Sequence, residues 1–265
     1  MSVVRQEQAL ARISSQARIG ANVCIAETAI IHDNVELGDN SSIGEYCIIG
    51  HPARGEASGK TLKIGAGANI RSHTIIYEGS EFGDQLSVGH SSILREGIRA
   101  GVNLQVGSIN DLEGMAVIGD WVRFHSNVHV SRGTTIGDLV WIFPYVVTTN
   151  DPIPPSGLCE GVTLHAGSTV CTGSVVLPGT QVGVGAFIGA MTRAGGIIRS
   201  GALVIGNPAK MVGSVRRLKH VDSGKQHPWY THHADAYPPK AQSRIAEILA
   251  EVETACDEID SLSPR

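Results

Sequence analysis

An apolar residue recurs at every sixth position through most of this chain, and that period limits the possible folds more than any other feature. Ile13, Ile19, Ile25, Ile31, Leu37, Ile43 and Ile49 open the series. Ile64, Ile70, Ile76, Phe82, Val88 and Leu94 restart it, and it then runs in phase to Ile142 and Thr148. Leu164, Val170, Val176, Val182 and Ile188 close it. A period of six matches neither an amphipathic helix nor a lone alternating strand. It is the mark of a solenoid, whose repeats bury a core only by stacking. One hexad makes a short strand and a corner, and three hexads return the chain to its starting edge. The apolar place fills a triangular interior, and the fifth place, as at Ser41, Thr74 and Ser92, has room for small or β-branched side chains. Gly commonly follows the apolar residue, as at Gly38, Gly65, Gly83 and Gly89. It is expected there because a bend asks for backbone angles that other residues resist. The three runs amount to about nine coils, a prism ~40 Å tall at a strand spacing of ~4.8 Å.

Composition agrees. The chain has 265 residues, 32 of them Gly, and only 5% are aromatic. Corners need Gly, and a thin prism has little room for rings. A net charge of −4 with interspersed signs gives no basic field for nucleic acid or an anionic membrane. No apolar run has the length of a membrane span, and residues 1–10 lack a signal-peptide core. Five dispersed cysteines, with no CxxC pair, read as reduced thiols of a cytoplasmic protein.

The period breaks in three places. Residues 51–63, HPARGEASGKTLK, and 150–161, NDPIPPSGLCEG, are polar loops of turn formers. Long irregular loops on a regular scaffold are commonly functional. After Val212 the hexads stop. HPWYTHHADAYPP offers Trp229, Tyr230 and Tyr237 as anchors, and Ile245, Ile248, Leu249, Val252, Cys256 and Ile259 then fall at helical spacing. The expected organisation is an N-terminal cap over 1–12, a prism over 13–212, and an extension over 213–265 carrying a helix over 241–259. The cap matters because an open prism end exposes unpaired strand edges.

Continuous phase from Ile64 to Thr148 allows side chains to be assigned to faces. The hexads that start at Ile70, Val88, Val106, Phe124 and Ile142 stack, and that face is expected to carry His73, His90, His125, Asn127 and His129. A neutral imidazole there can take a proton from an attacking amine or hydroxyl, with a neighbouring amide to orient the nucleophile. Three histidines can also bind Zn²⁺.

The hexad pattern over residues 13–215 resembles the left-handed parallel β-helix of the hexapeptide-repeat acyltransferases. The fold expected is thus an all-β solenoid with a C-terminal helical extension. Its hand is implied by the resemblance, since most parallel crossovers are right-handed. VRFHSNVHVSRGTTIGDLVWIFPYVVTTNDPIPPSG, residues 122–157, is similar to a stretch of the amino-sugar-nucleotide N-acetyltransferases. The resemblance implies that Asn127 meets the sugar amine; beside it His125 is the candidate base on its own chemistry, with Asn150 and Asp151 as substrate contacts nearby. His125 stands where the family often has Gln, and Pro154-Pro155 where it usually has Pro-Arg. IRSHTIIYEGSEFGDQLSVGHSSILREG, residues 70–97, matches a sugar acyltransferase pattern, with Arg95 and Glu96 as outward-facing substrate contacts. VIGNPAKMVGSVRR, residues 204–217, resembles the segment that closes acetyl-CoA-dependent prisms. It implies a cofactor path along Gly173, Ala190, Lys210 and Arg216, with the basic residues on phosphates.

The resemblance implies acyl transfer from acetyl-CoA, or a related acyl-CoA, to the amine of a nucleotide-linked sugar, by a homotrimer without a metal. O-acetylation of a sugar or small molecule is the nearest alternative. A metal-dependent hydratase resembling the gamma carbonic anhydrases, using His90, His125 and His129, is another, as is a non-catalytic scaffold.

Overall fold

A computed structural model describes residues 12–226 and 237–262. Its prism has three parallel sheets, each assembled from every third strand. The first and second sheets have 10 strands, and the third has 11. Stacked partners repeat the hexad positions: Ile76 faces Leu94 in the first sheet, Phe82 faces Ala100 in the second, and Val88 faces Val106 in the third. Ile31, Ile49, Ile76, Leu94, Leu112 and Val130 are fully buried along the axis.

Among the described residues the prism has ten parallel coils, one more than the nine or so expected. Ala194, Ile198 and Val204 form the last one, stacked on Val176, Val182 and Ile188. A tight Gly195-Gly196 turn shortens one hexad there, which hides the coil from a strict six-residue count. The eleventh strand of the third sheet, Lys210–Ser214, runs antiparallel to Ala202–Ile205 and covers the sheet's end. The expected N-terminal cap, Trp229 and Tyr230 lie outside the described residues.

The corner glycines serve a different purpose from the one expected. The residue in the left-handed backbone region is the fourth of the hexad, as at Ser91 (φ 57°), Ile109 (φ 58°) and Asn127 (φ 59°). The Gly at the second place is there for space. A Cβ on Gly89 would lie 2.5 Å from both the Gly107 carbonyl carbon and the Ser108 nitrogen in the coil above. At Gly89 and Gly107 the next coil comes too close for a side chain.

Helix α1, Pro239–Leu262, is longer than the expected 241–259 and packs on its own prism. Ala241, Ile245, Ile248, Val252 and Cys256 bury against Trp121, Leu139 and Val215, and Tyr237 joins them. Arg216 ties the prism to the helix, with its guanidinium 2.6 Å from Glu253 and 2.7 Å from Asp257. Arg244 of the helix reaches back to Asp138 at 3.0 Å. Among the described residues, no helix is long and apolar enough to cross a membrane.

Candidate functional site

Both irregular loops leave the same edge of the prism. The first runs from Ile48–His51 in the first sheet to Leu62–Ile64 in the second. The other runs from Val147–Thr148 in the first sheet to Thr163–Leu164 in the second. The coils between them present a column of polar corner residues on that edge: Glu78, Arg95 and Glu96, Glu113, Arg132 and Asn150. The two loops thus stand on the same edge as this polar column, one at each end of it.

Each loop is held in shape by a carboxylate. Buried Glu78 accepts hydrogen bonds from the Ala53 and Gly59 amides at 3.0 and 2.8 Å and so pins the first loop. Asp151 accepts from the Ile153 and Ser156 amides at 3.0 and 2.8 Å, and from the Ser156 hydroxyl. These bonds, the Ser156 hydroxyl first, hold its carboxyl below the usual range. Asn150 donates to the Arg132 carbonyl at 3.2 Å, which fastens the second loop to the coil beneath. Arg95, Glu96, Asn150 and Asp151 are therefore brought to one edge. Glu96 is buried between two guanidinium groups, Arg95 at 3.7 Å and Arg132 at 3.9 Å.

His125 and Asn127 lie elsewhere. They form the corner between the third and first sheets, at the other end of the first sheet's strands. Gly173 and Ala190 continue that same corner in later coils. A prism side of six residues is at most ~20 Å at ~3.3 Å per residue, so the two edges are separate places on one chain. His125 stacks on Phe143, with ring centroids 4.6 Å apart and planes at 16°. Desolvation by these neighbours, and then the charge of Arg123, pushes its pKa down, so the ring is neutral at pH 7. Arg123 itself lies 5.1 Å from the Tyr237 ring and 5.5 Å from the Trp141 ring. The Tyr237 hydroxyl accepts from Arg123 Nε at 3.0 Å and from Trp141 Nε1 at 3.2 Å. The C-terminal segment is thereby docked beside His125.

His129 does not share the His125 face. It opens the first-sheet strand His129–Val130, stacked on Asp111. Its Nδ1 is 3.4 Å from Asp111 Oδ2, and its Nε2 is 3.7 Å from Glu113 Oε1. Counting hexads groups it with His125, because a corner turns between the two residues. The usable signal was in the register: Asp111 lies eighteen residues before His129, one coil away, and a stacked Asp–His pair is a recognisable orienting device.

His90 is taken up by Ser72, at 2.8 Å from its Nδ1, and His73 stacks on Tyr46 at 5.0 Å. Among the described residues, no three His, Cys, Asp or Glu side chains are arranged to hold a metal ion. Lys210 is exposed at the start of the antiparallel strand, opposite Ile205. Arg216 differs from the expected phosphate contact, because its charge is spent on the carboxylates of α1, which push its pKa up further.

A larger groove of about 540 Å³ lies on the second sheet, over Gly20, Gly38, Gly65 and Gly83. It is shallow, no loop walls it, and charges along that sheet are paired across coils, as in Arg18–Glu36 and Arg99–Glu81.

The bacterial transferase hexapeptide model (six repeats) matches residues 11–51. No curated protein matches the chain in sequence. Among solved structures, the UDP-N-acetylglucosamine acyltransferase of Campylobacter jejuni aligns with TM-score 0.51 at 12% identity, over 89% of this chain and 80% of that one. The Arabidopsis UDP-N-acetylglucosamine acyltransferase gives 0.49 at 13% identity, over 96% and 97%. AntD, an N-acyltransferase from Bacillus cereus solved with dTDP-4-amino-4,6-dideoxyglucose and coenzyme A, gives 0.28 at 12% identity, over 74% and 82%. The chain is therefore a left-handed parallel β-helix of hexapeptide repeats, with the bacterial transferase hexapeptide signature in its first coils.

Proposed function

We propose that this protein is an acyltransferase that moves an acetyl or related acyl group from a CoA thioester to the amine of a nucleotide-linked amino sugar. The observation that carries the reading is the convergence of both loops on one polar edge of a transferase-type hexapeptide prism. In this reading the sugar lies along that edge, met by Arg95, Glu96, Asn150 and the second loop around Asp151. His129 is the proton acceptor. Asp111 Oδ2 stands 3.4 Å from Nδ1, where its charge favours the imidazolium formed on proton uptake, and Nε2, 3.7 Å from Glu113 and beyond hydrogen-bond range of it, is the atom that takes the proton. The amine attacks the thioester carbonyl, a C–N bond forms and the C–S bond breaks. The proton released by the amine passes through His129 to the departing thiolate.

The donor follows the other edge, along His125, Asn127, Gly173 and Ala190, with Lys210 on its phosphates. Because the two edges are a prism side apart, the reading requires the donor edge of one copy to face the acceptor edge of the next, as in a homotrimer. The Campylobacter neighbour is named for acyl transfer to UDP-N-acetylglucosamine, and O-acylation of such a sugar would use the same edge. The test is release of free thiol from several acyl-CoAs with nucleotide amino sugars and, in parallel, their hydroxyl counterparts. The reading expects release that depends on the amino sugar. Release with the hydroxyl sugars alone would replace it with O-acylation, and no release with any acceptor would remove it.

A further inference from the structure

We infer that the cavity under the first loop is a binding site for a diphosphate group, and that this group is the phosphate bridge of the acceptor. The second half of the inference rests on the function proposed above. The cavity, about 290 Å³, lies between the first loop and the loop-bearing edge. Arg54, Lys60, Arg99 and Arg132 line it, against Glu56 and Glu96. Glu96 is already engaged by Arg95 and Arg132. Arg54 and Lys60 have no carboxylate partner among the described residues. Arg99 is paired with Glu81 of the second sheet, so the cavity's free positive charge comes from Arg54 and Lys60, two groups suited to a diphosphate diester, whose two phosphates each hold one negative charge.

The wall that holds the cations is fixed in advance. Glu78 pins Ala53 and Gly59, on either side of Arg54 and the short 3-10 turn Gly55–Ala57. The Gly79 amide donates to the Lys60 carbonyl at 3.0 Å, which ties the loop's far end to the prism. Gly79 leaves room for that contact, since a Cβ there would lie 3.2 Å from the Ala57 carbonyl oxygen. A loop merely inserted into a surface has no need of a buried glutamate to hold it, nor of unpaired cations on its inner wall. Guanidinium and ammonium groups on a rigid frame meet phosphate oxygens with little ordering cost. The cavity is too small for a whole nucleotide sugar, which leaves the base and the sugar on the edge beyond it.

Calorimetric titration of the full chain with UDP, dTDP, inorganic pyrophosphate and coenzyme A tests this without turnover. Arg54→Ala/Lys60→Ala and, separately, Lys210→Ala are compared with the unsubstituted protein, with melting temperature as the folding control. The inference expects UDP or dTDP to bind the unsubstituted protein, to bind the loop variant at least tenfold more weakly, and to lose affinity as salt rises. It expects coenzyme A to be unaffected by the loop variant. Equal nucleotide binding by the two proteins, or none by either, overturns it. So does a loop variant that loses coenzyme A and keeps the nucleotide, since the diphosphate would then belong to the donor. A protein that binds UDP in this way yet transfers no acyl group keeps the cavity assignment and loses only the proposed reaction.

Discussion

At the scale of single residues, backbone geometry and chemistry compete for the same positions. The sequence offers Asn127 for an amine contact, yet it occupies a fourth-place corner at φ 59°, where Asn is among the few side chains that settle readily. Ser91 and Ile109 hold the same conformation in earlier coils. Asn127→Gly separates the two explanations, because Gly accepts the angle and removes the amide. With a functional amide, turnover falls roughly tenfold or more while the fold holds. With a purely conformational role, the Gly variant turns over normally, and only Asn127→Ala suffers, by about 1–2 kcal/mol of stability. Steady-state rates set beside thermal melts of the two variants decide it. The glycines teach the same lesson. Their spacing was legible in the sequence, but their reason was not, because the neighbour that excludes a Cβ at Gly89 is Gly107, one coil away.

At the scale of elements, strands and helix were legible and their contacts were not. Helical spacing of Ile245, Ile248, Val252 and Cys256 gave the helix, since a stripe at that period is self-evident. Nothing in the period says which prism it covers. The place of Arg216 after the closing motif suggests a phosphate contact. The residue is instead a clasp, because three carboxylates on one face of α1 converge on it. Arg216→Ala should lower stability by about 1 kcal/mol, less at high salt, since the group is partly solvated. It should leave coenzyme A affinity unchanged, whereas Lys210→Ala weakens it. Thermal melts and titrations on the two variants check this. Loss of coenzyme A affinity in the Arg216 variant would restore the phosphate role.

At the scale of the whole molecule, the hexad run made the solenoid plain, and a two-residue shortfall near Gly196 hid its last coil. The site was half legible. Arg95, Glu96, Asn150 and Asp151 were found from motif, and they share an edge. The sequence places His125 and Asn127 near Asp151, yet the width of the first sheet separates their corner from that edge. Assigning faces requires knowing where corners fall within each hexad, and composition does not mark that. The separation is what calls for a second copy of the chain. Light scattering at micromolar concentration should give three times the chain mass, and a monomeric mass would leave the donor and acceptor edges apart. Which edge performs the proton transfer is tested most directly by the turnover of His129→Gln beside that of His125→Gln, with one acceptor and acyl-CoA. The account predicts a loss of roughly 10²–10⁴-fold in kcat at neutral pH for His129→Gln, the usual worth of a positioned base, and a mild change for His125→Gln. The reverse pattern would contradict it and move the chemistry to the other edge.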